Sequence, residues 1–328
     1  MKLVTYERKG KQRAGALVSG DKKIVDLADA YKDINGKAYK PFGSVLAMIE
    51  GGDEALDTAK KTLKKAGTKN AIDLKTVTLL APVPVPPQMR DTLCFETHLK
   101  QSFAAARRVR ANATPDPEAA MAEFERTGVL SIPKTFYEQP IYYKANRFSV
   151  IGTGVDVLWP RYSKLMDFEL EFGIFIGKKG VDITREKARD HIYGYTIFND
   201  FSARDAQTAE MGGQLGPAKG KDFDNGNAMG PCLVTADEFG DPYDKTMVCR
   251  VNGEEWGRGN TSTMHWKFEQ VLAHISQSET LHPGEFIGSG TVGNGCGLEH
   301  MRFLKHGDVV ELEVEGIGIL KNRVLTHR

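Results

Sequence analysis

The sequence predicts an α+β, mostly β fold, with a small β-rich N-terminal domain over residues 1–80 and a larger domain over 81–328. Three observations carry that expectation. Short alternating runs outnumber helical patterns, above all after Pro140, where the texture turns to short strands and glycine-rich turns. No βαβαβ rhythm appears, which argues against a doubly wound sheet. Four prolines fall between Pro82 and Pro87, a stretch that can be neither helix nor central strand and so forms a stiff extended connector.

The elements follow in order. Residues 2–6, 14–18 and 23–27 alternate as short strands, and 44–50 and 53–65 fit helices, the second ended by Gly67. Residues 97–138, rich in Ala, Arg and Glu, fit a helical segment interrupted by Pro115 and Pro117. Beyond Pro140 the clearest strands are 174–177, 232–235, 248–251 and 309–314, with helices at 187–193 and 264–276. The chain of 328 residues is long enough to bury a sizeable core.

Bulk composition excludes several classes. Lys and Arg number 44 against 43 Asp and Glu, and a net charge of +1 offers no field to hold nucleic acid or an anionic membrane. No apolar run approaches the ~18 residues that span a bilayer. The start, Met1 to Arg8, mixes charge with apolar alternation and lacks the apolar core of a signal peptide. Cys94, Cys232, Cys249 and Cys296 lie far apart with no C-x-x-C pair, which argues against a disulfide scaffold or a zinc knuckle. The expectation is a soluble, cytoplasmic, globular protein with no nucleic-acid or membrane partner.

Chemistry concentrates in five segments. In 167–177, period-two alternation puts Phe168, Leu170 and Phe172 on one strand face and Asp167, Glu169 and Glu171 on the other, about 7 Å apart per step. Like charges that close repel unless something positive lies between them. The face is therefore either solvent-exposed acid or a hard-cation site, whose oxygens suit magnesium, calcium or manganese rather than zinc. In 195–207 an apolar strand runs into Asn199 and Asp200; Asp200 either adds a carboxylate or starts a turn, and Ser202 is placed to cap a short helix. Segment 215–224 carries Lys221 among glycines but lacks the spacing of a phosphate loop. His98 lies at the end of 90–98, just after the proline connector. Residues 288–299 are glycine-dense, which lets backbone approach a ligand closely.

Together and in this order, the five segments resemble the fumarylacetoacetate hydrolase family over roughly residues 82–320. The most specific parts are the Glu-x-Glu strand, the Asn-Asp-x-Ser-Ala-Arg-Asp-x-Gln segment, the Leu-Gly-Pro…Gly-Lys loop and the Ser-Gly-Thr turn. The resemblance implies a mixed β-roll in the larger domain, one divalent cation (magnesium or calcium, with manganese admissible) and a homodimer. It implies Glu169, Glu171 and Asp200 as metal ligands. Asp91, seven residues before His98, joins them, with Glu96 a competing local ligand. It further implies a catalytic His98 paired with Glu299, oxyanion donors at Arg204, Gln207 and Lys221, and substrate contacts at Arg107, Tyr143 and Thr291. Leu93 and Met211 stand where members that cleave fumarylacetoacetate place tyrosines, so two hydroxyls are missing from the pocket. Residues 99–139 are either a lid ordered by ligand or a helical decoration at a dimer edge.

The implied activity is metal-dependent hydrolysis of a carbon–carbon bond in a β-diketo acid or acylpyruvate, in the manner of aromatic catabolism. His98, oriented by Glu299, would take a proton from water. The cationic donors would stabilise the oxyanion by ~3 kcal/mol each, and the metal would hold the departing enolate. Two alternatives stand beside it: an isomerase, decarboxylase or hydratase acting on a 2-oxo acid through the same enolate, and a non-catalytic binding protein on the same fold. The complete His98–Glu299 pair favours hydrolysis.

Overall fold

The computed structural model describes residues 1–327. Its spine is a twelve-stranded sheet. The order runs from Ile72–Asp73 through Lys23–Asp26, Lys11–Val18 and Lys2–Arg8 to Asn227–Thr235. It continues through Ile192–Asp200, Leu170–Ile176, Phe286–Gly288, Met89–Thr92 and Tyr142–Lys144. The N-terminal strands therefore extend the sheet of the larger part, with Leu3 opposite Leu233. Most neighbours are antiparallel, but Phe286–Gly288 runs parallel to Met89–Thr92. A second sheet of five strands joins Glu254–Asn260, Thr246–Val251, Val309–Val314, Gly318–Leu325 and Val157–Leu158. This mixed α+β architecture agrees with the predicted class.

Local chemistry explains the helices. Ser44 caps Val45–Glu50 by accepting from the Ala47 N–H at 3.0 Å. Gly52–Ala66 carries Asp53 and Glu54 in its first turn and Lys64 and Lys65 in its last, each sign matching the helix dipole. The 97–138 segment resolves into Glu96–Asn112, Pro117–Thr127 and Thr135–Glu138; Pro117 opens the second helix and Asp116 caps it through the Ala119 N–H at 3.0 Å. No regular element occupies residues 82–87.

The structure departs from the sequence expectation in three elements. Leu27–Asn35 is a helix, capped by the Asp26 carboxylate and closed by Gly36 at φ 70°. The helix expected at 187–193 forms as one α-turn, Arg185–Ala188, continued by a 3-10 turn, Arg189–His191, and so stops two residues short. Ile192 and Tyr193 instead enter the strand Ile192–Asp200, which is buried along its whole length and so recruits aromatic and β-branched residues. The helix expected at 264–276 begins only at Phe268.

Leu170–Ile176 is also buried throughout. Phe172 meets Phe268 edge-on at 5.1 Å, and Tyr195 stacks on Phe239 at 4.6 Å. Each such ring contributes about 1.5–3 kcal/mol of burial, and the opposite face is packed too, with Phe175 and Phe198 against Phe286 at 5.3 and 5.2 Å beside the positions that carry Glu171 and Asp200. Among the described residues, no helix is long and apolar enough to cross a membrane.

Candidate metal centre and active site

Adjacent strands deliver the carboxylates. Asp200 ends Ile192–Asp200, and Glu171 lies on its neighbour Leu170–Ile176. Phe286–Gly288 comes next, and then Met89–Thr92 with Asp91 opposite Gly288. A Cβ at Gly288 would overlap the Asp91 carboxylate and lie 3.2 Å from Glu171 Oε2. The missing side chain is what lets Asp91 and Glu171 face each other across the intervening strand. Oxygens of Asp91, Glu171 and Asp200 lie within 4.8 Å of one another, and all three residues are buried. The sequence option of a solvent-exposed acidic face is excluded: Asp167 and Glu171 are 0% exposed and Glu169 5%.

Two cations enter the cluster. Lys221 Nζ lies 2.5 Å from Glu169 Oε2 and 2.7 Å from Asp200 Oδ2, and donates to Ser202 Oγ at 2.7 Å. Arg204 pairs with Asp167 Oδ2 at 2.7 Å and Glu169 Oε1 at 2.7 Å, and donates to Gln207 Oε1 at 3.0 Å. Ser202 caps no helix, contrary to expectation. It lies in the two-residue strand Ser202–Ala203, where it donates to the Asp200 carbonyl and accepts from Lys221.

The four expected ligands thus fall into two kinds. Both Glu169 oxygens are held by Arg204 and Lys221. Burial pushes its carboxyl up, but those two cations outweigh burial and hold it below the usual carboxylate range. Both oxygens of Glu171, and Oδ1 of Asp200, are buried without a hydrogen-bond partner. Burial, reinforced by the Asp91 and Glu169 charges, raises Glu171 well above the usual range; burial likewise raises Asp91 and Asp200. Five carboxylates (Asp91, Asp167, Glu169, Glu171, Asp200) against Arg204 and Lys221 leave a deficit of three positive charges when all are ionised. Buried, unpartnered carboxylate oxygens in an all-oxygen set fit a hard divalent cation. Tyr143, beside Asp91 in the register, donates its hydroxyl to Asp200 Oδ2. Glu96 lies apart, accepting from Tyr137 at 2.6 Å and pairing with Lys100 at 2.9 Å.

A second constellation adjoins the first. The Glu169 backbone bridges to that of Cys296, which brings the glycine-dense loop beside the Glu-x-Glu strand. His98, in the first turn of Glu96–Asn112, has Nδ1 2.9 Å from Glu299 Oε1. The other Glu299 oxygen accepts the Cys296 N–H at 3.0 Å. Gln101 ties the helix to this loop, donating to Asn294 Oδ1 at 2.6 Å and accepting the Asn294 N–H at 3.0 Å. Thr291 is buried in the turn after Gly290, whose N–H reaches Asp91 Oδ1 at 3.2 Å. Arg107 donates instead to the Leu130 carbonyl at 2.8 Å, within the helical segment.

Sequence reasoning gave no role to Asp167, although it lay in the quoted alternation. Its carboxylate accepts the N–H groups of Gly297 at 2.7 Å and Leu298 at 2.9 Å while pairing with Arg204. It therefore clamps the turn that carries Glu299 to the residue that holds Glu169. Asn199 Oδ1 adds a bond from the Glu169 N–H at 3.1 Å.

Fold and site define a class: a mixed α+β scaffold whose central strands present a buried carboxylate cluster beside a histidine–carboxylate pair. The chain belongs to the fumarylacetoacetate hydrolase family, whose C-terminal domain model matches residues 91–325. It is 32% identical over 299 residues to the human mitochondrial protein named oxaloacetate tautomerase FAHD2A, covering 89% of this chain and 83% of that one. A fumarylacetoacetate hydrolase from psychrophilic Exiguobacterium antarcticum superposes with a TM-score of 0.73 at 27% identity, and both chains are covered in full. A maleylpyruvate hydrolase from Sphingobium sp. SYK-6, solved with manganese(II) and pyruvate, shares the fold with a TM-score of 0.71 at 20% identity over both whole chains.

Proposed function

We propose that the protein is a divalent-cation-dependent hydrolase, acting as a homodimer, that cleaves a carbon–carbon bond in a β-diketo acid or acylpyruvate. The observation that carries this is the His98 Nδ1–Glu299 Oε1 contact of 2.9 Å on a loop joined to the carboxylate cluster. Asp91, Glu171 and Asp200 would hold the cation, magnesium or calcium with manganese admissible. When bound, it supplies positive charge and polarises a chelating dicarbonyl. Glu299 accepts a hydrogen bond from the His98 Nδ1–H, which fixes the tautomer that leaves Nε2 free to take a proton from water. The Cys296 N–H keeps Glu299 in place. Gln207 gives its carbonyl oxygen to Arg204, which leaves its amide N–H groups to donate toward a developing oxyanion. Lys221 supplies a buried ammonium beside the same carboxylates, matched to an anionic substrate. Arg204, committed to Asp167 and Glu169, acts by orientation.

A second reading has its own support. The human relative is named an oxaloacetate tautomerase and aligns over most of this chain. The same base can move a proton between the enol oxygen and the α-carbon of a 2-oxo acid without consuming water. Incubating the protein with acylpyruvates, fumarylacetoacetate and oxaloacetate, with magnesium, calcium, manganese or chelator, separates the two. Cation-dependent formation of two acids supports hydrolysis. Faster keto–enol exchange at unchanged mass supports tautomerisation, and neither outcome in any combination overturns both.

A further inference from the structure

We propose that His98, Cys296 and Glu299 form a second cation site, selective for thiophilic ions of the zinc class, whose occupation switches the catalytic base off. Their nitrogen, sulfur and oxygen ligand atoms lie within 4.8 Å of one another. The set is assembled in advance. Glu299 holds the His98 ring at 2.9 Å and the Cys296 backbone at 3.0 Å, so few side chains must be ordered when an ion binds.

Ligand chemistry separates this site from its neighbour. Asp91, Glu171 and Asp200 offer only carboxylate oxygens, which suit magnesium, calcium or manganese. Imidazole, thiolate and carboxylate together make a three-ligand set with one open position, as in many zinc centres, and thiolate selects soft ions over magnesium and calcium. Burial raises the Cys296 thiol well above its ordinary range, and the negative charges of Glu299, Asp167 and Glu169 add to this against the single opposing charge of Arg204. A cation therefore meets a net negative surrounding. The other thiols lack such company. Cys249 faces the carbonyls of Gly257 and Asn294, Cys232 that of Ile317, and Cys94 the Thr92 hydroxyl. Among the described residues, none of those three belongs to a group of three ligands.

Binding forms a metal–sulfur bond and releases the Cys296 proton to solvent; no electrons are transferred. It also occupies the imidazole and carboxylate that the proposed reaction needs. The inhibitory consequence rests on that functional reading, but the binding does not. Cadmium serves as a spectroscopic stand-in for zinc, since its thiolate complex absorbs in the ultraviolet by charge transfer. Magnesium-saturated protein titrated with cadmium is expected to develop this band at one equivalent. Cys296→Ala removes it, and His98→Gln weakens cadmium binding at least about tenfold, the low end of what losing even an outer-shell partner does. Glu171→Gln leaves the band intact. Absence of the band in the unaltered protein, or its persistence in Cys296→Ala, overturns the site. Should Cys296→Ala fail to fold, unchanged cadmium affinity in His98→Gln overturns it equally. Where turnover is measurable in excess magnesium, zinc inhibits, and Cys296→Ala requires at least about tenfold more zinc; equal sensitivity refutes the switch.

Discussion

Replacing Glu171 with Gln should separate stability from cation binding. Both Glu171 oxygens are buried and unpartnered, with Asp91 and Asp200 oxygens within 4.8 Å. Two ionised carboxylates at that distance repel by about 3.5 kcal/mol at an effective dielectric constant near 20. Glutamine reproduces, at nearly the same volume, the neutral form that burial and this repulsion already favour at Glu171, and its amide N–H groups can donate to the remaining carboxylates. In chelator, the variant is therefore expected to be at least as stable as the unaltered protein. With cation at about a hundred times its dissociation constant, the unaltered protein gains ~2.7 kcal/mol. A ligand loss that weakens affinity about a hundredfold, the upper range for even an outer-shell partner, leaves ~0.4 kcal/mol at the same concentration. Urea unfolding followed by circular dichroism, with chelator and then with magnesium or manganese, reads both numbers. If Glu171→Gln loses ~2 kcal/mol or more in chelator, or keeps the full cation-dependent gain, its oxygens are not held for a cation. Either result refutes the reasoning, because both magnitudes follow from the same unpartnered geometry.

Asp167→Asn turns an amide toward the Gly297 and Leu298 N–H groups and strips Arg204 of a buried partner. It should cost about 3–5 kcal/mol of stability and, by displacing the Glu299 turn, about a hundredfold in turnover. Calorimetry should show cation affinity little changed; full turnover would contradict the clamp. Gly288→Ala drives a methyl into the Asp91 carboxylate and should weaken cation binding at least about tenfold, read by the same calorimetry. Asp26 supplies a pH dependence away from the site. Burial pushes its carboxyl up, but bonds from Arg13, Tyr6 and the Asp29 N–H prevail and hold it below the usual range. A depressed folded-state value gives stability that is present above the unfolded pKa of about 3.9 and lost as pH falls through the folded value. Urea midpoints of the unaltered protein should therefore fall below about pH 4 more steeply than those of Asp26→Asn, and parallel curves would contradict this.

The fold was legible where local pattern and tertiary demand agree. Alternation at residues 2–6 and 14–18 and the proline connector survive in the structure, because short alternating strands and prolines answer to local rules. The helix Leu27–Asn35 is not read from the sequence although Asp26 and Gly36 mark its ends, since nine residues give its period little room to show directly after the apolar run at 23–27. Residues 192–193 were misplaced because the sheet centre overrides the helical tendency of the charged residues before them.

The site was legible through its motifs in order, but what each residue touches was not. Nothing local distinguishes Glu169 from Glu171. One is neutralised by cations arriving from Arg204 and Lys221, and the other is left open because Gly288 provides a gap in a strand more than a hundred residues away. Asp167 reaches its partners across 130 positions of chain. In the sequence Cys296 is an isolated cysteine; its place beside His98 and Glu299 depends on the loop path.

The most direct test of the central claim is steady-state turnover of whichever acid in the panel the protein converts, comparing the unaltered protein with His98→Ala, each with saturating cation and with chelator. The account predicts that chelator abolishes turnover. It also predicts that His98→Ala lowers kcat by ~10²–10⁴-fold while cation binding by calorimetry stays intact. Undiminished turnover in His98→Ala, or turnover indifferent to chelator, would contradict it.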